Sequence, residues 1–263
     1  MFENVRLAFQ GVWSHKMRSM LTMLGIIIGI AAIITIVSTI KGTNEQIKEN
    51  LIGAGNNIVA VQLNKDGYQF DASWDKAPST VRPITEQTRQ ELEKLDGVRE
   101  VSLFHSRSYA DTAYYQDTRF VGSIYGVDSH FFSASGYQVK LGRGFTPSDY
   151  QNCRKVALVD ANTISILSLG QNPVGQVIEL QGDVYTIIGV VALSQEFTPT
   201  INSMQDYQMY VGNSSGVIYI PDSAWPVAYG FDEPQNVAIK VSSTDEMTTV
   251  GKKAADLLTE RQI

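Results

Sequence analysis

Ser19–Ile40, SMLTMLGIIIGIAAIITIVSTI, is a run of 22 residues without a charged side chain, the length an α-helix needs to cross the hydrocarbon core of a bilayer. Arg18 closes it on one side and Lys41 on the other. Within it, Gly25 and Gly29 form a G-x-x-x-G pair, which lets a second helix backbone approach closely inside a membrane. A cleaved signal peptide has an apolar region of about 7–15 residues ending at a small-residue site. Here the run is longer and passes into Lys41-Gly-Thr-Asn-Glu-Gln. A buried helix of a soluble protein is also usually shorter. The stretch reads as an uncleaved membrane span.

Before it, residues 2–17 place Phe2, Val5, Phe9, Val12, Trp13 and Met17 at helical spacing. Such a stripe suits a helix lying in the membrane interface with Trp13 at headgroup level; packing on a protein partner is compatible with it. Arg6, Lys16 and Arg18 outweigh Glu3, whereas Lys41, Glu45, Lys48 and Glu49 cancel beyond the span. The positive-inside rule then puts the N-terminus in the cytoplasm and everything after Lys41 outside. Trp13, Lys16 and Arg18 are the membrane-interface candidates, and Gly25 and Gly29 the helix-packing candidates. Ile40, Asn44, Ile47 and Leu51 keep the helical period going, which predicts a stalk rising out of the bilayer until Gly53 and Gly55 stop it.

With 43% hydrophobic residues in 263, the chain can bury one or two ordinary cores. A mean hydropathy of -0.08 fits one span plus a large water-facing region. A net charge of -6 without a Lys/Arg cluster argues against a nucleic-acid partner. The single cysteine, Cys153, excludes an intrachain disulfide and a cysteine-based zinc site.

Asn57–Leu63 reads as a strand and Lys65–Ser79 as a polar loop. Thr85 is a candidate N-cap for a helix to Leu95, stopped by Gly97. Val98–Phe104 and Phe120–Val127 read as strands flanking a polar hairpin, and Val237–Val241 as another. Ser243-x-x-Glu246 has the capping-box spacing, and Met247, Val250, Ala254, Leu257 and Leu258 form the buried face of the helix it opens. The order predicts an α+β fold: two βα units side by side in a split-βαβ sheet, the second without its last strand. Between them, Gly-punctuated runs at Val156–Val159, Val177–Leu180, Val184–Ala192 and Val217–Ile220 predict a small, mostly β inserted domain. Gly182-Asp183 signals a hairpin turn, and Asp160 is a candidate cap for a helix through Leu167. Glu196–Gly216 is a long polar loop with Tyr207 and Tyr210 near its tip, the candidate contacts for a partner or cargo.

Catalytic motifs fail on context. Gly212-Asn-Ser214-Ser-Gly216 has nucleophile-elbow spacing, but a strand follows it and His15, His105 and His130 all precede it. Ser38-x-x-Lys41 lies at the end of the span. There is no G-x-x-x-x-G-K-[ST] and no H-E-x-x-H in the sequence. His105 and His130 are isolated, and Cys153 beside Arg154 and Lys155 reads as a loop thiol. Trp225-Pro226 and Tyr219 read as local packing. No catalytic, cofactor-binding or metal-ligating residue is assigned.

Lys16-Met-Arg18-Ser-Met-Leu21-Thr22-Met-Leu24-Gly25-Ile-Ile-Ile-Gly29 resembles the entry segment of MacB-type, FtsX-like ABC transporter permeases. Leu141-Gly-Arg143-Gly-Phe145-Thr146-Pro-Ser-Asp149, Pro173-Val-Gly175-Gln, Tyr185-Thr-Ile-Ile-Gly189 and Ile218-Tyr-Ile-Pro221 are similar to that family's extracytoplasmic core, in order along the chain. The resemblance implies an interfacial segment over 1–18, a span over 19–41 and a stalk over 42–54. It also implies a Porter-like subdomain over 55–128 and 234–263, and a Sabre-like insert over 129–233. A family permease works as a dimer, coupled to a cytoplasmic ABC ATPase that uses ATP-Mg, in a bacterial cell membrane. Its cargo includes peptides, antibiotics and lipoproteins, with membrane-fusion or cell-wall partners outside. Three further spans follow the core in that family and are not in this sequence. Competing readings are a single-span surface receptor, a regulator of a cell-wall hydrolase and a membrane-anchored hydrolase.

Overall fold

The computed structural model describes residues 16–51, 57–110, 112–194 and 215–262. They fall into two compact units, Met1–Leu51 and Ile52–Ile263, taken separately below. The first is helix α1, Lys16–Leu51, of 36 residues, about 54 Å long at the usual rise. Ile26, Ile27, Ile28, Ile30, Ile33 and Ile34 are all exposed, so the charge-free part of the helix is apolar on every side. That is the pattern of a membrane span rather than of a core helix, and Lys16–Thr43 is long and apolar enough to cross. The Thr22 and Thr35 hydroxyls donate to Arg18 O at 3.0 Å and Ala31 O at 2.8 Å, so these polar groups are satisfied within the helix. The helix runs past the span as expected; Gly53 and Gly55 lie outside the described residues.

The second unit runs through β1 (Ile58–Val61), β2 (Asn64–Lys65), β3 (Tyr68–Gln69), α2 (Glu86–Glu93), β4 (Val98–Arg107), β5 (Ala113–Tyr115), β6 (Thr118–Arg119), β7 (Gly122–Val127) and α3 (Phe131–Ala134). It continues with β8 (Tyr137–Gly142), α4 (Pro147–Gln151), β9 (Val156–Val159), α5 (Ala161–Ile166), β10 (Val177–Leu180), β11 (Asp183–Leu193), β12 (Gly216–Pro221), α6 (Trp225–Ala228), β13 (Asn236–Val241) and α7 (Met247–Gln262). One sheet takes the order β1-β13-β4-β7-β12-β9-β11-β10-β5-β6, with β8 on β11. β13 is antiparallel to both β1 and β4. β1 and β4 therefore run parallel with β13 between them, the split βαβ arrangement. Leu92, Val101, Ile239, Val250 and Ala254 are almost wholly buried where α2 and α7 cover this part.

β7 and β12 pair in parallel from Gly122↔Gly216 to Val127↔Pro221, so the strands expected of the insert continue the same sheet without a break in the ladder. Their core is led by Trp225, Tyr185 and Phe120. The packing reading of Tyr219 and Trp225 holds, since they are 1% and 0% exposed.

Thr85 caps α2 by accepting from Thr88 N at 3.2 Å, and Asp160 caps α5 by accepting from Thr163 N at 2.8 Å. Three expectations need correction. The turn between β10 and β11 is Gln181-Gly182, both at positive φ (53° and 83°), as a type I′ turn demands; Asp183 already belongs to β11. The Lys65–Ser79 segment is not all loop, because Asn64–Lys65 and Tyr68–Gln69 pair as a small hairpin about Gly67. Ser243 forms only half a capping box. Its hydroxyl accepts from Asp245 N at 3.1 Å, a 3₁₀ turn precedes α7, and Glu246 Oε2 is buried without a partner among the described residues. A complete box forms instead at Thr146 and Asp149.

Candidate functional site at the loop end of the sheet

The strand directions bring the ends of β1 and β4 and the starts of β7, β12 and β13 to one end of the sheet. Residues 62–85, 108–110, 112–121 and 230–235 lie there. Glu233 is the hub of this end. Its carboxylate accepts from the Arg107 guanidinium, from Trp225 Nε1 at 3.1 Å and from Gly230 N at 3.2 Å. Arg107 also lies over the Tyr229 ring at 4.6 Å. Trp225 is sandwiched between His105 at 5.2 Å and Tyr229 at 4.5 Å. Burial pushes the His105 imidazole down to about 4 against the opposing pull of the Glu233 charge, so the ring is neutral in neutral solution.

Beside this network, Asp71 accepts from Ser73 N at 2.8 Å and Ser108 N at 3.2 Å. Burial opposes its ionisation, but the hydrogen bonds from Ser108 and Ser73 prevail and hold it below the usual carboxylate range. Ser73 Oγ meets Tyr109 N at 3.1 Å. The turn so fixed stacks Trp74 on Tyr109 at 5.4 Å, with Arg119 over Tyr109 at 5.3 Å. Trp74 remains 72% exposed, an indole held in place yet open to contact. An ion pair between Lys65 and Asp75, 3.3 Å, ties this turn to the hairpin of β2 and β3. An open groove of about 270 Å³ lies alongside, lined by Val61, Leu63, Ile84, Val237, Leu258 and Thr259 among others.

At the opposite end, Asp128 and Asp222 follow the last paired residues of β7 and β12. Asp128 accepts from Ser102 Oγ and Leu103 N, both at 2.7 Å. Burial, and then the Asp128 charge, push Asp222 up to about 6.

Lys16 and Arg18 lie on the first turn of α1, and Gly25 and Gly29 lie one turn apart with open space around each. Trp13, Tyr207 and Tyr210 lie outside the described residues. His130 Nδ1 sits 3.5 Å from Glu100, and Cys153 is exposed. Its neighbour Lys155 is paired with Asp183 at 2.6 Å. Among the described residues no group of three His, Cys, Asp or Glu could hold a metal ion. The Glu233 hub and the Trp74 stack were not anticipated from sequence. Asp232-Glu-Pro reads as an exposed acidic turn, and Arg107 is far from it along the chain.

Two quoted motifs acquire a structural reason. Asp149, fully buried, accepts from Arg143 Nη1 at 2.7 Å and from Thr146 N at 2.8 Å. Burial alone would raise its pKa, but these donors outweigh it and hold the carboxyl at about 2. Gly175 stands at φ +89°, and Gln176 Nε2 donates to Leu169 O and Asn172 O, each at 2.9 Å. Both motifs build turns rather than a reactive centre.

Over 262 residues, 99% of this chain and 62% of the relative, the sequence is 31% identical to an uncharacterized ABC transporter permease of Bacillus subtilis, YvrN. It is 26% identical over 260 residues to YknZ of the same organism, covering 99% of this chain and 61% of that one. It is 30% identical over 189 residues to the macrolide export ATP-binding/permease protein MacB of Neisseria gonorrhoeae, covering 72% and 28%. The chain thus spans about three-fifths of the length of the first two relatives. The fold resembles the extracellular domain of YknZ, with a TM-score of 0.54 at 20% identity over 78% of this chain and 94% of that one. It also resembles the periplasmic region of MacB from Actinobacillus actinomycetemcomitans, with a TM-score of 0.55 at 20% identity over 82% and 89%. Residues 19–257 match one family throughout, and the chain belongs to the MacB-like periplasmic core domain family.

Proposed function

We propose that this chain is the N-terminal part of the permease subunit of a MacB-type ABC export system. Its outer domain couples ATP hydrolysis by a separate cytoplasmic ATPase to export or extraction of cargo such as peptides, antibiotics or lipoproteins. The observation that carries this reading is the family match over residues 19–257, which takes in most of the apolar helix and the sheet together. In this reading α1 anchors the chain in the bacterial cell membrane with Lys16 and Arg18 at the cytoplasmic face, and the sheet stands outside. A second permease copy packs at Gly25 and Gly29, and the loop end of the sheet meets an external partner or cargo.

Protease added to intact cells is expected to digest residues beyond Lys41 and to spare a tag placed before Met1. A protected sheet and a cleaved tag would reverse the orientation. Replacing Gly25 and Gly29 together by leucine puts bulk where open backbone now lies and should cut cross-linking between membrane-embedded copies several-fold, on the order of 1–2 kcal/mol of helix association. An unchanged yield would remove the pair from the interface.

A further inference from the structure

The ladder between β5 and β10 stops early. Only Glu179↔Tyr114 and Leu180↔Ala113 are paired, because Gln116, at φ +52°, turns β5 into its hairpin with β6. On its other side β10 stays paired with β11 as far as Val177↔Thr186. Ile187 N donates to Gln176 O, and Gln181 N to Thr112 O, each at 2.8 Å. Successive residues of an antiparallel strand turn their amides to opposite sides. Gln176 and Ile178 therefore face β11, whereas Val177 and Glu179 face β5. The N–H and C=O of Val177 look past the end of β5, and among the described residues nothing bonds to them.

An open cavity of about 430 Å³ lies at this gap, and Glu179 is the one charged residue lining it. Residues directly opposite one another share a face of the sheet, so Val184, Glu179, Tyr114 and Arg119 form one outward row across β11, β10, β5 and β6. Arg119 is two strands away from Glu179 and lies over Tyr109. Among the described residues Glu179 enters no ion pair. Gln176, also in the lining, has its Nε2 committed to Leu169 O and Asn172 O.

Two features select the occupant independently. A backbone N–H and C=O presented together at a strand edge are matched by another polypeptide in extended form. A residue placed opposite Val177 puts its side chain on the outward face, with Glu179 as its diagonal neighbour, within reach of a long side chain. There the unpaired carboxylate favours a cation. Val177 and Val184, both exposed, offer apolar surface to the methylenes of a lysine or arginine, and the half-buried Tyr114 ring offers its face to the charge. An acidic residue would meet Glu179 with no cation between them.

We propose that the gap at Val177 binds a basic residue of an extended peptide. The peptide backbone pairs with Val177, and the lysine or arginine side chain reaches Glu179 beside Tyr114. This goes beyond the permease reading, since the site belongs to the sheet and binds whether or not the chain transports what it holds.

The test is an NMR titration of the full chain, isotope-labelled at its amides and held in detergent, with acetyl-Thr-Val-Lys-Val-Thr-amide. The Val177 amide signal is expected to shift and saturate, with an affinity about five-fold higher than for the same peptide carrying norleucine in place of lysine. Glu179→Gln, a change to an exposed side chain, should erase that difference and leave the remaining spectrum unchanged. Methylating the lysine's own backbone nitrogen removes the donor that pairs with Val177 O and should weaken binding about five-fold or more. Equal affinity for the lysine and norleucine peptides overturns the proposal, as does a preference for lysine that survives Glu179→Gln. Full binding of the methylated peptide overturns it too, because the backbone pairing would then play no part. So does a Val177 signal that stays in place at about 10 mM peptide.

Discussion

Glu233→Ala is expected to lower the unfolding free energy of the outer domain by about 3 kcal/mol or more, the scale for breaking a buried ion pair from one side. The Arg107 and Glu233 side chains are only 17% and 13% exposed, so Arg107 would be left as a desolvated cation without its carboxylate. Trp225 Nε1 and Gly230 N would lose their acceptor at the same time, each adding to the cost of an unmade bond. Glu233→Gln keeps an acceptor but not the charge, and should cost roughly half as much. Replacing both partners, Arg107→Met with Glu233→Leu, removes the stranded charge and should recover part of the loss. Urea unfolding followed by circular dichroism reads all three. A change below about 0.5 kcal/mol for Glu233→Ala, the range of ordinary surface substitutions, would show that the hub does not hold this end together.

The second expected result is a hidden pH dependence. His105 is pushed down to about 4 in the folded chain from 6.5. As pH falls from 6.5 to 4 the unfolded chain takes up the proton first, and on the order of 3 kcal/mol of stability present above that window is lost. Asp222 is raised from 3.8 to about 6. Between those values the folded chain holds the extra proton, so stability on the order of 2–3 kcal/mol is present at low pH and lost as pH rises. The two windows overlap with opposite signs, and the contributions of these two groups nearly cancel between pH 4 and 6. Asp222→Asn should uncover the His105 slope, with stability falling as pH falls. His105→Phe should uncover the opposite slope. Urea midpoints at pH 4.5 and 7.5 for both variants decide it, and parallel profiles in the two would refute the assignment.

What was legible in the sequence was local. The charge-free run that became the apolar part of α1, the Thr85 and Asp160 caps, and the buried face of α7 each depend on residues a few positions apart. The break between β13 and its helix was legible too, but its detail was not. The 3₁₀ turn at Thr244–Glu246 puts Asp245 N, rather than Glu246 N, under the Ser243 hydroxyl. The site was harder, because its determinants are distant. Glu233 reaches Arg107 across 126 positions, and Ser73 reaches Tyr109 across 36. No periodicity joins such pairs. A signal existed only for the turns: Thr146-x-x-Asp149 has a short form of the capping-box spacing, with Pro147 at the first helical position where proline is favoured.

The slot that β13 fills between β1 and β4 has a consequence for how the protein is made. β1 and β4 are synthesised early, yet they do not touch each other along the ladder, because the strand that joins them is Asn236–Val241. β7 pairs with β4 on one side and waits for Gly216–Pro221 only on the other. An emerging chain therefore carries the facing edges of β1 and β4 unpaired until Asn236–Val241 has been made, and contacts this distant in sequence close slowly. Local pairs such as β4–β7 and β10–β11 need no later strand, but β1 is joined to β4 only when β13 arrives.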